Sequence, residues 1–417
     1  MTTDELRESL LAAPKNGFKP FTPGMEAKPG DKIYYNNRDK AIALAVVGTE
    51  SLANGVNICA AHVDSPRMDL KPNPLYEDSE IAYFKTHYYG GIKKYQWVTV
   101  PLALHGVVYR KDGTVVTVTI GEDDNDPILM VSDLLIHLSA DQMKKPLAEG
   151  IVGEQLNVIL GTEPIEGEGG DLVKLNVMKF LNEKYGLIES DFLSAELTIV
   201  PAGRCREVGF DRSLISAYGH DDRVCAYAEL FSLFRIPTPR KTAVCILADK
   251  EEIGSVGISG MQSQYFEHFI DGLCDAQGVK LADCFANSFC LSADVSNAHD
   301  PNFPEVSDRR NNSALNYGIS ICKYTGRGGK GGASDASAEV MGHVRTTLDN
   351  AGVIWQIATL GKVDQGGGGT VAAYMANRNI VTVDAGVPVL SMHAPLELVS
   401  KLDCYETLLA CKAIYLA

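Results

Sequence analysis

The sequence has 417 residues and a formal charge of −15, from 38 lysines and arginines against 53 aspartates and glutamates. Hydrophobic residues make up 45% and charged residues 22%, which is the composition of a globular protein. The length predicts two domains, or one large domain with an insertion. The negative charge argues against nucleic acid and membrane surfaces as partners, because phosphate backbones and anionic lipids repel an acidic chain.

The cysteines and the N-terminus predict a cytoplasmic protein with reduced thiols. Ten cysteines are spread from Cys59 to Cys411 without a Cys-x-x-Cys pair, which argues against a cysteine-based structural zinc site. Cys245 and Cys290 fall in apolar, strand-like runs, as does Cys59, and we expect buried thiols there. The N-terminus shows no secretory signal, and no apolar run approaches the roughly 18–20 residues that a membrane span requires.

The first predicted elements are a buried strand and a β-rich segment. Residues 56–61 form an apolar run, which predicts a buried strand that ends next to His62. From about residue 97 to residue 200 the pattern changes. Residues 114–120 alternate β-branched residues between turn signals, and an acidic, glycine-rich loop lies near residues 163–171. We therefore predict a β-rich insertion in this part of the chain.

After about residue 213, predicted strands alternate with helices. Residues 224–234 place apolar side chains at helical spacing, which predicts a helix that begins just after Asp221. Short apolar runs predict further strands at Thr242–Ala248, which would be central in its sheet, at Phe289–Ala293 and at 380–383. This alternation predicts an α/β sandwich.

Residues of metal-binding types follow these predicted strands, or open a helix, at the positions where open α/β sheets bind ligands. They are His62, Asp64, Asp221, Glu251, Glu252, Asp294 and His393. Histidines together with carboxylates form a set of nitrogen and oxygen ligands that suits zinc, with manganese or cobalt as substitutes. A carboxylate that bridges two metals roughly 3.5–4 Å apart would make a two-metal hydrolytic centre.

Neighbouring residues in this set predict separate roles. Asp64, two residues beyond His62, is placed to orient that imidazole or a neighbouring ligand. The adjacent Glu251 and Glu252 allow one carboxylate to bind metal while the other acts as a general base toward water. The alternatives are a solvated surface for the glutamate pair and a hydrogen-bonded structural role for a lone histidine. The apolar strand before the pair argues against a surface.

Two other kinds of active site find little support. The glycine run at residues 366–369 lacks the GxxxxGK[ST] spacing of a nucleotide-binding loop, and a backbone loop packed close to a bound substrate fits it better. The chain also lacks the Gly-x-Ser-x-Gly elbow of many serine hydrolases.

Five segments together resemble a known family. They are HVDSP (62–66), HDDRV (220–224), DKEEIGS (249–255), SADV (292–295) and SMH (391–393). In this order they are similar to the aspartyl aminopeptidase/aminopeptidase I family of dinuclear zinc exopeptidases. The resemblance spans nearly the whole chain and includes LLIHL at 134–138 in the inserted region.

The resemblance implies a zinc-dependent aminopeptidase that acts on peptide substrates. The implied fold is α/β, with a mixed β-sheet sandwiched by helices and an inserted β-rich domain. We expect a discontinuous catalytic domain at 1–95 and 206–417, interrupted by a dimerisation or lid domain at 96–205. The family also implies two zinc ions per subunit, with Mn²⁺ or Co²⁺ possible, and a tetrahedral homo-dodecamer built from dimers.

The resemblance also implies roles for individual residues. It assigns five metal ligands: Asp221 as the bridge, His62 and Asp294 in one site, and Glu252 and His393 in the other. Glu251 matches the general base, and Asp64 matches an aspartate that supports the ligands. His137 matches a histidine that reaches from the inserted domain into a neighbouring subunit's active site, where it contacts substrate or metal.

The chain departs from the aspartyl branch of the family at several positions. That branch has Asp-Asn-Arg where this chain has Asp221-Asp222-Arg223, and a histidine associated with acidic substrates where this chain has Asn297. Its His-Pro-Asn becomes Asp300-Pro301-Asn302, and residues 366–369 with Thr370 are more similar to the aminopeptidase I branch. We therefore expect neutral or apolar N-terminal residues as substrates, with N-terminal Asp or Glu as the alternative.

Two further functions remain as alternatives. A catalytically idle homologue would serve as a peptide-binding or assembly scaffold, but the five ligands and the base are all present in the sequence. The second alternative is a hydrolase that has the same metal centre but cleaves a different bond, as carboxypeptidases or deacylases do. The match to an exopeptidase family over nearly the whole chain argues against that reaction.

Overall fold

The computed structural model describes residues 12–417, which form three β-sheets with helices packed around them. The strands are β1 Lys19–Pro20, β2 Lys32–Asn37, β3 Ala41–Val46, β4 Val56–His62, β5 Arg67–Asp78, β6 Ile81–Tyr89, β7 Leu102–Tyr109, β8 Val115–Ile120, β9 Val158–Gly161, β10 Ala195–Pro201, β11 Arg206–Val208, β12 Leu214–Ala217, β13 Thr242–Ala248, β14 Phe289–Ala293, β15 Ser296–Asn297, β16 Ile319–Cys322, β17 Trp355–Ala358, β18 Val381–Gly386, β19 Pro388–Leu390 and β20 Glu397–Ser400. The α-helices lie at α1 Leu147–Gly150, α2 Leu172–Tyr185, α3 His220–Arg235, α4 Tyr265–Asp275, α5 Leu281–Ala286, α6 Ala338–Ala351, α7 Ala372–Ala376 and α8 Lys401–Leu416.

The largest sheet has nine strands in the order β1-β2-β3-β13-β4-β14-β18-β16-β17. It is mixed: β13 pairs parallel with β4 but antiparallel with β3. The strands β13, β4, β14 and β18 are mutually parallel neighbours, so their carboxyl ends meet at one edge. The apolar runs predicted as strands at Thr242–Ala248 and Phe289–Ala293 have those bounds in the structure, and the first is an interior strand as expected.

Helices cover both faces of this sheet, because successive side chains of a strand point to opposite sides. On one face, Cys59 and Cys245 pack in a core cluster with residues of α3, α6 and α8. On the other face, Ile58 and Ile246 pack with residues of α4, α5 and α7. The predicted mixed sheet sandwiched by helices is therefore confirmed. All ten cysteines are free, and those three predicted to be buried thiols are buried.

The second sheet is antiparallel, with the order β8-β7-β10-β5-β6-β9, and has its own core cluster. It contains the predicted β-rich segment but begins earlier than expected, since it starts at Arg67 and the predicted boundary was residue 96. Pro72 and Pro74 obscure β5 in the sequence, because proline cannot donate to a sheet hydrogen bond. The β5–β6 pairing shifts register between Leu70 and Leu75, around these prolines.

The third sheet, β11-β12-β20-β19-β15, lies beside the start of α3 in the chain and carries the turn that contains His393. The predicted helix after Asp221 is confirmed as α3; Asp221 and Asp222 have non-helical backbone angles, so the regular helix begins at Arg223. The N-terminal residues considered for a signal sequence, 1–10, lie outside the described part of the chain. No helix within residues 12–417 is long and apolar enough to cross a membrane.

Candidate metal centre

The carboxyl edge of the nine-stranded sheet brings together seven of the eight residues singled out in the sequence. They are His62 at the end of β4, Asp64 just after it, Asp221 at the start of α3, Glu251 and Glu252 on the turn after β13, Asp294 after β14, and His393 after β19. Parallel pairing of β4 with β13 and β14 explains the convergence, because it aligns the ends of these strands.

Asp221 lies between the two histidines. Its Oδ1 atom is 3.1 Å from Nε2 of His62, and its Oδ2 atom is 3.1 Å from Nε2 of His393. The hydroxyl of Ser65 donates to the carbonyl oxygen of Asp221 at 2.7 Å, which holds the backbone at the start of α3. A carboxylate whose two oxygens face two imidazoles has the arrangement expected of a bridge between two metal ions.

Within residues 12–417, two groups of three residues could each hold a metal ion, and both include His62; the potential ligand atoms of each group lie within 4.8 Å of one another. One group adds Asp221 and Glu252, and the other adds Asp222 and Asp294. Asp222 was noted in the sequence as a departure from a family motif and not as a ligand. Its position directly after Asp221 is the signal that points to it, since both carboxylates enter the site from the same turn.

Each histidine has a carboxylate from the predicted set within 4 Å besides Asp221. The distance from Nε2 of His62 to Oδ1 of Asp294 is 3.9 Å, and the distance from Nε2 of His393 to Oε2 of Glu252 is 3.5 Å. These pairs are the ones that the resemblance assigns to the two metal sites.

Asp64 supports both the histidine and the glutamates. Its Oδ1 atom is 3.3 Å from Nδ1 of His62 and accepts the backbone N–H of Glu251 at 3.0 Å. Its Oδ2 atom accepts the backbone N–H of Glu252 at 3.2 Å and the hydroxyl of Tyr89 at 2.8 Å. Asp64 therefore fixes the turn that carries both glutamates relative to the first histidine.

Three residues at the site were not identified from the sequence: Tyr89, Gly91 and Glu397. Glu397 accepts the backbone N–H groups of Asp221 at 3.0 Å and of His393 at 2.7 Å, one with each carboxylate oxygen. The one hint of Glu397 in the sequence is its position four residues after His393. Tyr89 and Gly91 contact Asp64 and His393, respectively, from β6 and the residues after it, and no local pattern marks them.

Burial and mutual repulsion disfavour the charged forms of several carboxylates. The pKa of Glu251 is raised to about 7. Burial is the largest cause, the charge of Asp221 acts in the same direction, and His62 partly offsets them. Burial also raises the pKa of Glu252 and of Asp294 well above their usual values. Bound cations would favour the ionised forms, because an opposite charge nearby stabilises a carboxylate.

For the histidines and for Asp221, in contrast, the surroundings favour the charged form. Burial alone would lower the pKa of His393, but Asp221 and Glu252 together raise it to about 10. Burial would raise the pKa of Asp221, yet contacts with His393 and His62 hold it below its ordinary value. The negative charge of the carboxylates therefore favours a cation at each histidine, whether a proton or a metal ion.

Unpartnered oxygen atoms provide a separate test of whether a metal fits. Oδ1 of Asp221, Oδ1 of Asp222 and Oε1 of Glu252 are buried and make no hydrogen bond. Buried polar atoms without partners are costly, and a cation would satisfy them. The nitrogen and oxygen donors suit zinc, manganese or cobalt. The site therefore fits a divalent cation.

His137 is the eighth predicted site residue, and it is in neither of the two groups of potential ligand atoms found among the described residues. It lies on a 3-10 turn, Ile136–Leu138, in the inserted region, and is exposed. The apolar side chains around it are also exposed: Leu134, Leu135, Ile136, Leu138, Met143 and Leu147. We call these six residues the apolar surface segment.

Comparisons with known proteins relate the chain to one family. The chain matches the family described as "Aminopeptidase I zinc metalloprotease (M18)" over residues 3–415. It is 50% identical over 409 residues to "Probable M18 family aminopeptidase 1" of Clostridium acetobutylicum, covering 96% of this chain and 88% of the relative.

Solved structures of similar proteins share the fold. The crystal structure of an M18 family aminopeptidase from Thermotoga maritima matches with a TM-score of 0.95 at 44% identity, covering 98% of this chain and 91% of that one. The S. cerevisiae mApe1 dodecamer matches with a TM-score of 0.80 at 20% identity, covering 99% and 94%. The second similarity concerns the fold alone.

Proposed function

Because the chain belongs to the aminopeptidase I zinc metalloprotease (M18) family, we propose that it removes single N-terminal residues from peptides by means of a two-metal centre. Family membership confirms the resemblance recognised in the sequence, and with it a zinc metalloprotease of the aminopeptidase type. The observation that carries the two-metal proposal is Asp221, whose two carboxylate oxygens face His62 and His393 at 3.1 Å each.

The proposed ligands divide into two sites that share Asp221. His62 and Asp294 would hold one cation, and Glu252 and His393 the other, in keeping with the distances between these pairs. Zinc is the proposed metal in both, with manganese or cobalt as substitutes. When bound, the cations would polarise the scissile carbonyl and make a water molecule more acidic.

Glu251 is the proposed general base. Its carboxylate would accept a proton from the attacking water as the C–O bond forms, and would then donate that proton to the leaving amine as the peptide C–N bond breaks. The hydrogen bond from its backbone N–H to Asp64 fixes the turn that carries it. Cations bound beside Glu251 would favour its ionised form, which is the form that accepts a proton from water.

The proposed substrates carry neutral or apolar N-terminal residues. Support comes from Asn297, which stands where the aspartyl branch has a histidine associated with acidic substrates, and from the high identity to a relative named aminopeptidase 1. The other candidate is an aminopeptidase specific for N-terminal Asp or Glu.

A panel of fluorogenic aminoacyl substrates tests both the reaction and the preference. It would compare Leu, Ala, Asp and Glu derivatives, each with a free and an acetylated amino group, after loading with zinc, manganese or cobalt separately. We expect cleavage of the free Leu and Ala derivatives at least tenfold faster than of the Asp and Glu derivatives. Cleavage of only the acetylated substrates would contradict the aminopeptidase assignment, and faster cleavage of the acidic ones would reverse the proposed preference.

We also propose that the chain forms a homo-oligomer through its inserted region, with His137 reaching the active site of another copy. The apolar surface segment supports this, because Ile136 is 69% and Leu138 is 68% exposed in a single chain. Contiguous exposed apolar side chains mark interaction surfaces in globular proteins. The assembly that we propose is a dodecamer built from dimers, and a dodecamer is the state named for the S. cerevisiae structure.

The double substitution Ile136→Asp with Leu138→Asp is expected to break this assembly, because charges cannot be buried unpaired in an interface. Sedimentation velocity should show a smaller species, and activity should fall at least tenfold if His137 acts in a neighbouring site. Leu193→Asp, at another exposed leucine of the inserted region, serves as the control. A wild-type protein that sediments as a monomer would contradict the proposal.

A cytoplasmic location is proposed as well. All ten cysteines are free in the structure, and most of them are buried, which fits a protein that works in a reducing compartment.

A further inference from the structure

Strand β6 leaves the six-stranded sheet at Tyr89, and the next two residues lie against the metal centre. The hydroxyl of Tyr89 donates to Oδ2 of Asp64 at 2.8 Å. The carbonyl oxygen of Gly91 is 2.7 Å from Nδ1 of His393. A Cβ atom on Gly90, between them, would lie only 3.2 Å from Oε2 of Glu252. Three consecutive residues therefore contact three different parts of the site.

Contacts other than the hydrogen bond to Asp64 also hold Tyr89 in place. Its side chain is buried, and the guanidinium of Arg67 stacks on its ring at 3.7 Å from the ring centre. Nε of Arg67 in turn donates to Oδ1 of Asp69 at 2.8 Å. Arg67 and Asp69 belong to β5, the neighbour of β6. The position of the tyrosine hydroxyl is thus set by β5 and β6 of the six-stranded sheet, which we call the inserted sheet.

The contact of Gly91 fixes the orientation of His393. A carbonyl oxygen can only accept a hydrogen bond, so Nδ1 of His393 carries the proton. Its Nε2 atom is then free to coordinate, on the side that faces Asp221 and Glu252. His62 is held in the same way, since its Nδ1 atom is 2.9 Å from the carbonyl oxygen of Asp64.

Two features favour glycine at position 90. Its φ of +74° lies in the left-handed region, which side chains other than glycine rarely adopt. A Cβ atom at this position would also press on Glu252. Without a side chain, the segment passes this close to Glu252 and leaves its side chain undisturbed.

We infer that the segment Tyr89-Gly90-Gly91 positions both halves of the metal centre, with Tyr89 as a positioning residue that acts through Asp64. Through Asp64 the tyrosine orders His62 and the turn of Glu251 and Glu252, while Gly91 orders His393. The inserted sheet is in this way part of the geometry of the metal site in its own subunit. This inference rests on the two-metal centre proposed above.

The test is zinc binding by the full-length protein with Tyr89→Phe, which removes the hydroxyl and keeps the ring under Arg67. Apoprotein would be titrated with zinc in competition with a chromophoric chelator, and kcat and KM would be measured after saturation. We expect zinc dissociation constants raised about tenfold, within the range found when outer partners of metal ligands are lost. At saturating zinc, kcat should fall about tenfold and KM should change less than twofold.

Tyr88→Phe is the matched control, because it makes the same change one residue earlier, at a side chain that is 41% exposed. It should match the wild type in zinc affinity and kcat. Absorption of the cobalt-loaded proteins gives a second measurement: the ligand-field bands should shift in Tyr89→Phe and stay unchanged in Tyr88→Phe.

The outcomes separate the two proposals. Wild-type protein that binds no zinc would overturn the metal centre and the inference together. Wild-type protein that binds two zinc ions, with Tyr89→Phe identical to it in affinity, kcat and cobalt spectrum, would overturn the inference alone. A Tyr89→Phe protein that loses zinc affinity only because its unfolding temperature has dropped, with an unchanged cobalt spectrum, would also overturn it.

Discussion

Replacing Glu251 with glutamine is expected to lower kcat by about 10²–10⁴-fold, the contribution typical of a general base, while both metal ions stay bound. Glutamine has the shape of glutamate but cannot take a proton from water. The backbone N–H to Asp64 is unaffected by the change, so the turn keeps its position. KM should change little, because the metal ligands are intact. Steady-state kinetics and metal content by atomic emission spectrometry would measure both effects.

Two further variants make this result specific. Glu251→Asp shortens the side chain but keeps a carboxylate, and it should retain more activity than the glutamine variant. Glu183→Gln makes the same chemical change on the exposed surface of α2 and should behave as the wild type. Normal turnover by Glu251→Gln would remove Glu251 from the role of base. Loss of metal along with activity would indicate that Glu251 is a ligand.

Replacing Asp221 with asparagine is expected to remove metal from both sites and to lower kcat/KM at least 10³-fold. Among residues 12–417, Asp221 is the one carboxylate that lies at 3.1 Å from both histidines, so its charge would stabilise both proposed cations. Without it, the remaining carboxylates have less negative charge to offset the cost of dehydrating two divalent ions.

Calorimetry and metal analysis would measure this second effect. Zinc should raise the unfolding temperature of the wild type, because a ligand that binds only the folded state stabilises it. The asparagine variant should lose most of that increase and bind fewer than two zinc ions per chain. Asp211→Asn, at an exposed aspartate ten residues earlier, provides the control. Retention of two zinc ions in Asp221→Asn would refute the bridging role.

The parts of the fold that the sequence predicted well are those with a local signal. Thr242–Ala248 and Phe289–Ala293 have the predicted bounds because both are interior strands, and strands buried on both faces read as unbroken apolar runs. The ligand residues follow such runs directly, so the strands and the candidate site were found together. The assembly of the ligands into one site then follows from parallel pairing.

Other features depend on contacts between distant residues and leave no local signal. The start of the inserted sheet was missed because Pro72 and Pro74 disguise β5. Tyr89 was missed because its partner, Asp64, belongs to another strand's end, and no periodic pattern links the two. The contact between Gly91 and His393 joins residues 302 positions apart. Such pairs become visible only once the sheets are in place.

The order of the ligands along the chain has a consequence for biosynthesis. His62 precedes the six-stranded sheet, whereas the other proposed ligands follow most of its strands, and 331 positions separate His62 from His393, since 393 − 62 = 331. At about 5–20 residues per second, a ribosome needs roughly 15–70 s to add the stretch between the two histidines. Until the end of that interval the nascent chain lacks His393, although Asp221, Glu252 and Asp294 have already been added. The full set of proposed ligands therefore exists only after His393 has been added to the chain.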